Sequence, residues 1–191
     1  MKEYKIDDGT FIGGWYIPEK ICDVLIEFYH SSKDEWDEGR VGLGAVIEDF
    51  KKCTELQIQP DKLSKLSYTP HLKDCLEEYK KRYPFSDDVN SYTITTFLKI
   101  QHYKPGEGFY TWHMENDGYS SIRNRHLVFM TYLNTLDNAG TEFHYQKTKT
   151  PCEKGLTIIW PAGWTHTHRG VTNYEGEKTI ITGWFSFHAD E

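Results

Sequence analysis

The stretch SYTITTFLKIQHY, residues 91–103, alternates side chains with a period of two. Tyr92, Ile94, Leu98 and Ile100 take one face, and Thr93, Thr95, Lys99, Gln101 and Tyr103 the other, as in a strand laid on a core. Further strands are predicted at 127–133, 141–145, 156–160 and 178–188. Between them lie turn signals: Pro105-Gly106, Asn116-Asp117-Gly118, residues 137–140, Pro161-Ala162-Gly163 and Glu175-Gly176. Before residue 91 the period is helical. Pro18 suits a helix start, and Ile21, Val24, Leu25 and Phe28 form one apolar stripe. Thr69 reads as an N-cap with Pro70 at the first helical position, followed by Leu72, Cys75, Leu76 and Tyr79 and closed by Pro84. Residues 31–66, polar and turn-rich, are expected to be loops with short strands around residues 39–47. Helices first and short strands afterwards argue for a double-sheet β-barrel buttressed by helices. With no repeat or linker, we expect one domain over 1–191, helical support in 1–90 and the β core in 91–188.

The chain has 191 residues, 38% hydrophobic and 15% aromatic, enough for a sizeable core. Its formal charge of −7 gives no electrostatic reason to bind nucleic acid or anionic membranes non-specifically. Lys147 and Lys149 could form a basic rim, but such pairs are usually solvated surface. Neither an apolar signal core nor a membrane-spanning stretch is evident. Cys22, Cys53, Cys75 and Cys152 are widely spaced without a C-x-x-C pair, so free thiols and a cytoplasmic location are expected. Oligomeric state is not legible.

Chemistry gathers in WHMEND and PAGWTHTHRGV. Residues two apart in extended chain share a face, so His113 and Glu115 can reach one point together. A histidine from a distant strand would complete two imidazoles and one carboxylate on one side of a metal. Such a set leaves coordination positions open and suits non-haem Fe(II). An H-x-E pair alone is a weak signal, since the two alternate by chance in many exposed strands. His168 and His166 compete for the third position. Lys178 follows His168 by ten residues, one strand and turn, and favours it; His166 is left to a supporting or surface role. Lysines are usually exposed, but Lys178 opens the apolar run KTIITGWF and shares a face with Ile180, Thr182 and Trp184. A lysine facing a barrel interior needs an anion. The remaining histidines read as structural or exposed, His144 being the one to watch because it lies on a predicted strand.

These residues resemble the Fe(II)/2-oxoglutarate-dependent dioxygenases, specifically the prolyl-4-hydroxylase-like branch, over residues 92–186. The resemblance is carried by QHYKPGEGFYTWHME, RHLVFMTYLN, AGTEFHY, KGLTIIWPAGWTHTHRGV and EGEKTIITGW. It implies a double-stranded β-helix, or jelly-roll, barrel with N-terminal helices packed on one sheet. It further implies Fe(II) on His113, Glu115 and His168, with 2-oxoglutarate and O₂ as cosubstrates and ascorbate as a reductant. Lys178, Tyr103, Tyr132, Thr182 and Trp184 would then surround the cosubstrate. Tyr110, Arg123 and Arg125 would stand near the substrate, with residues 116–125 as a loop over the mouth. Two departures show: Glu115 stands where most members carry Asp, and Lys178 stands where the oxygen-sensing prolyl hydroxylases carry Arg; Ala139 also replaces the first of a Gly pair. The lysine at 178 is the residue of the collagen-type and algal-type members. The implied reaction hydroxylates an organic substrate, a peptidyl proline among those that fit, and releases succinate and CO₂. A free amino acid or other small metabolite fits equally, whereas the acidic surface disfavours nucleic acid. A zinc hydrolase would explain the ligand set but leave Lys178, Tyr103 and Tyr132 without a task. A non-catalytic metal-binding barrel is the third reading.

Overall fold

A computed structural model describes residues 1–41 and 44–188. In chain order the strands are β1 (Lys2–Tyr4), β2 (Gly13–Tyr16), β3 (Asp37–Glu38), β4 (Lys51–Lys52), β5 (Thr54–Ile58), β6 (Tyr92–Thr93) and β7 (Leu98–Tyr103). They continue as β8 (Gly108–Phe109), β9 (Arg125–Tyr132), β10 (Leu136–Phe143), β11 (Thr148–Cys152), β12 (Leu156–Pro161), β13 (His168–Gly170) and β14 (Lys178–Phe187). The α-helices are α1 (Glu19–Ser31), α2 (Pro60–Lys65) and α3 (Tyr68–Arg82). The larger sheet runs β1-β2-β12-β9-β14-β7-β5-β3, with β6 beside β14, and the smaller runs β11-β10-β13. Both remain open at their edges, in a mostly β, jelly-roll arrangement.

The period of two sorts the core into layers. Along β9, Leu127 and Phe129, with Leu133 just beyond, pack with Ile181 and Phe185 of β14 against α1 and α3. Val128, Met130 and Tyr132 face the other way and meet Ile180, Trp184 and Phe143, the last from the smaller sheet. Hydroxyls at the centre of the helix-side layer pair with one another: that of Thr131 bridges Tyr68 (2.8 Å) and Thr157 (2.7 Å). Satisfying them avoids the 1–3 kcal/mol or so that an orphaned buried polar group costs. Among the described residues no helix is long and apolar enough to cross a membrane. All four cysteines are free and buried.

Several elements depart from the sequence expectation. In α1 the buried stripe is Ile21, Cys22, Leu25 and Tyr29, and Val24 is exposed. The small Cys22 fits the tight contact under Tyr132, whose carbonyl its thiol approaches at 3.8 Å. Helix α3 begins before Thr69, after Ser67 in a left-handed conformation, so Pro70 sits inside its first turn, where a missing N–H costs no intrahelical bond. Residues 31–66 contain α2 and β5, and β5 joins β7 in the main sheet. Around residues 39–47 only a Val41–Ala45 bridge is seen, and Gly42 and Leu43 lie outside the described residues. The stretch 91–103 breaks into β6 and β7. The predicted turn at 137–140 is strand β10, with a register irregularity against β11.

That irregularity leaves Gly140 pressed on the neighbouring strand. A Cβ there would lie 1.6 Å from the Thr150 carbonyl oxygen, backbone that cannot swing aside. Overpacking of this kind costs roughly 1–3 kcal/mol or more. Gly140→Ala should therefore lower the melting temperature by about 5 °C or more, read by scanning calorimetry. An unchanged transition would refute the close approach.

Candidate metal centre and cavity

His113 and His168 are cross-strand partners. Their backbones exchange both hydrogen bonds, N–H of 113 to O of 168 at 3.0 Å and the reverse at 2.9 Å. This pairing brings the rings to a centroid distance of 4.3 Å. Glu115 is anchored two residues on, its N–H donating to the Ala162 carbonyl at 3.1 Å. One ligand atom from each of His113, Glu115 and His168 falls within 4.8 Å of the others.

The surroundings aim those atoms. His113 Nδ1 lies 3.0 Å from the Thr111 carbonyl and His168 Nδ1 2.8 Å from the His166 carbonyl. A carbonyl only accepts, so both Nδ1 atoms carry the proton and both Nε2 lone pairs are left free. Glu115 Oε2 accepts from Trp184 Nε1 at 2.9 Å and from Arg125 at 3.2 Å. Oε1 is thereby left facing the two Nε2 atoms at 3.5 and 3.7 Å, a gap wider than a good hydrogen bond. The Arg125 guanidinium stacks 3.6 Å from the Trp184 ring centre, which ties both donors into one wall. Burial pushes the Glu115 carboxyl up, but the polar and charged groups around it, the Arg125 guanidinium among them, outweigh it and hold it below the usual carboxylate range. Burial holds His168 down to about 3, so its imidazole is neutral and able to ligate. Phe109 lies flat on His113 at 3.5 Å, and Trp160 meets His168 edge-on.

A cavity of about 600 Å³ opens beside these three residues. Tyr103, Tyr132, Lys178, Thr182, Trp184 and Arg125 line it, as do Asp117, Tyr119, Ser121 and Ile122 of the 116–125 segment. Lys178 is only 6% exposed. It stands opposite Tyr103 in the β14–β7 register, 5.0 Å from that ring, and donates to the Val171 carbonyl at 3.2 Å. Among the described residues no carboxylate pairs with it. Burial accordingly pushes its ammonium down to about 8. The Tyr132 hydroxyl sits at 2.7 Å from both Thr141 and Thr150, and Thr182 donates to the Phe129 carbonyl.

Other expected residues lie elsewhere. Tyr110 turns its hydroxyl onto the Gly106 carbonyl at 2.8 Å, and Arg123 is exposed; neither lines the cavity. His166 is buried with both ring nitrogens engaged, by Thr10 O and the Thr165 hydroxyl. His144 is exposed, edge-on to Trp112. Among the cavity residues without a sequence assignment are Lys51, Lys99, Gln101 and Thr141. Only the alternation that put Lys99 and Gln101 on the polar face of the 91–103 stretch hinted at any of them.

Residues 98–186 match the family model of the 2OG-Fe(II) oxygenase superfamily. Among curated proteins, none matches this sequence. Of solved structures, a viral collagen prolyl hydroxylase from Paramecium bursaria Chlorella virus-1, in complex with 2-oxoglutarate, is 20% identical with a TM-score of 0.68. The superposition covers 96% of this chain and 100% of that one. A Pseudomonas putida prolyl-4-hydroxylase is 14% identical, with a TM-score of 0.68 and 93% of both chains covered. A Trichoplax adhaerens prolyl hydroxylase, bound to a hypoxia inducible factor peptide fragment, is 15% identical at a TM-score of 0.71. That match covers 93% of this chain and 84% of the other. At these identities the likeness shows the fold.

Proposed function

We propose that this chain, whose residues 98–186 match the family model of the 2OG-Fe(II) oxygenase superfamily, is a hydroxylase whose Fe(II) is held by His113, Glu115 and His168 and whose 2-oxoglutarate is held by Lys178. The observation that carries this reading is the pairing of two free Nε2 lone pairs and a bare Oε1 with a buried lysine lacking a carboxylate. The donor set fits Fe(II), and the lysine fits the far carboxylate of the cosubstrate. When bound, the metal with 2-oxoglutarate and O₂ supplies the oxidising chemistry, yielding succinate, CO₂ and a hydroxylated substrate.

The chain's own residues bind, orient and shield. Thr111 and His166 fix the imidazole tautomers through their carbonyls. Arg125 and Trp184 occupy Oε2 of Glu115 and so turn Oε1 inward, which supports their role as positioning residues. Tyr132 and Tyr103 present hydroxyls on the wall shared with Lys178, while Phe109 and Trp160 keep water from the rings. A proline ring, free or within a peptide, is the substrate this reading favours, since the three structural relatives above are named as prolyl hydroxylases.

The test is turnover of 2-oxoglutarate to succinate by the Fe(II)-loaded protein, with a proline-containing peptide gaining one oxygen by mass. Peptide hydroxylation absent while succinate forms would remove the prolyl substrate; absence of metal-dependent succinate would remove the hydroxylase. A pH dependence follows from Lys178. Its ammonium is present below about 8 and lost as pH rises through that value, so 2-oxoglutarate should bind about 10-fold more weakly at pH 9 than at pH 7. Lys178→Arg should abolish this slope, because a guanidinium does not titrate in that range. Anaerobic titrations at both pH values measure it.

A further inference from the structure

We propose that the same cavity contains a second anion subsite, built from Lys51 and Lys99, that receives a carboxylate of the substrate. This deepens the hydroxylase reading and rests on it, since it places substrate beside the proposed metal. Glu55, 1% exposed, accepts from Lys51 and from Gln101 Nε2 (3.1 Å) through Oε1 and from Lys99 (2.8 Å) through Oε2. Two ammonium groups thus share one carboxylate, leaving one positive charge in surplus. Lys51 is 2% exposed, yet both lysines line the cavity. Each has N–H donors beyond its bond to Glu55. Burying an uncompensated charge is costly, and an incoming anion removes that cost.

The position separates this pair from the proposed handhold on the cosubstrate. In the β14–β7 register Lys178 faces Tyr103 whereas Lys99 faces Thr182, four residues along. At 3.2–3.4 Å per residue the two backbones stand about 13 Å apart, so the two lysines serve different stretches of the cavity wall. Lys51 is instead the register partner of Phe109, its ammonium 5.5 Å from that ring. Phe109 stacks on His113, so an anion on Lys51 sits one aromatic ring away from the metal ligands. A small carboxylic acid held there presents its carbon skeleton to the centre. The carboxylate could belong to a free amino acid derivative or to another organic acid.

Calorimetric titration of the Mn(II)- and 2-oxoglutarate-saturated protein reads the subsite, because the cosubstrate covers Lys178. The probes are N-acetyl-L-proline against N-acetyl-L-prolinamide and benzoate against benzamide. At least one acid should bind ~10-fold or more tighter than its amide, the factor that a charge-assisted hydrogen bond supplies. Lys99→Met, which leaves Lys51 and Glu55 balanced, should erase that preference, and Lys99→Arg should restore it. Preference in the prolyl pair places the carboxylate on an amino acid derivative, and preference in the benzoate pair alone places it on another acid. Equal binding of acids and amides, no binding of either acid, or a preference that survives Lys99→Met overturns the proposal. Should wild type fail to bind 2-oxoglutarate, the cosubstrate reading falls. An acid preference lost in Lys99→Met and kept in Lys178→Ala still supports the subsite.

Discussion

His168→Ala is expected to abolish metal-dependent 2-oxoglutarate turnover, whereas His166→Ala should retain a substantial part of it. The two imidazoles are two residues apart, yet the structure gives them opposite surroundings. His168 offers a bare Nε2 to the gap shared with His113 and Glu115. Both ring nitrogens of His166 are spent on Thr10 O and the Thr165 hydroxyl. What His166 lends the site is its backbone carbonyl, which alanine keeps. Losing one of three ligands removes most of the affinity for a labile divalent ion. Binding of Mn(II) measured by calorimetry, beside succinate formation, separates the cases. The His166 variant should lose thermal stability rather than metal, because the turn at Thr10 loses its anchor. A dead His166→Ala with intact metal binding by His168→Ala would reverse the assignment.

How far a sequence could reach such a site depends on the range of the interactions involved. The strand pattern of residues 98–103 is local: alternation alone put Leu98 and Ile100 toward the helices and Lys99, Gln101 and Tyr103 toward the cavity. H-x-E spacing is local as well, and His168 is reached by counting strands. The structure adds what no spacing encodes. Trp184 and Arg125 meet at Glu115 Oε2 although they come from two strands, and Lys51 meets Lys99 on Glu55 from three. Lys51 reads as a solvated side chain in KKCTE although its partner Glu55 stands in the same five residues, because Lys99 and Gln101, which complete the pair, come from β7. Strand β2, GGWY, shows no alternation because all but its last residue are buried, and it was missed for that reason. Boundaries such as the start of α3 or the irregular β10 involve single left-handed backbone conformations at Ser67 and Asn138, which composition does not reveal.

Lys178→Ala is expected to raise the KM for 2-oxoglutarate by at least ~10-fold while changing kcat far less. The ammonium lies on β14 beside Tyr103 and, in this reading, would meet the cosubstrate carboxylate farthest from the reacting carbon. An interaction there is made equally in ground and transition states, so its removal weakens binding without selectively raising the barrier. A charge-assisted hydrogen bond contributes roughly 1.5–3 kcal/mol. Leaving the carboxylate unpaired among Tyr103, Tyr132 and Ile180 adds a desolvation cost on top. Arginine at 178 should recover only part of the affinity, since the planar guanidinium needs more room than the pocket under Tyr103 provides. Anaerobic titration of 2-oxoglutarate into the Fe(II)-loaded variants, followed by the metal-to-ligand absorption band, measures affinity independently of turnover. If Lys178→Ala bound the cosubstrate as wild type does, the anion would have to rest on the Lys51 and Lys99 side of the cavity. The order of the two subsites would then be exchanged, with substrate on Lys178. A fall in kcat with KM unchanged would instead place Lys178 at the reacting end.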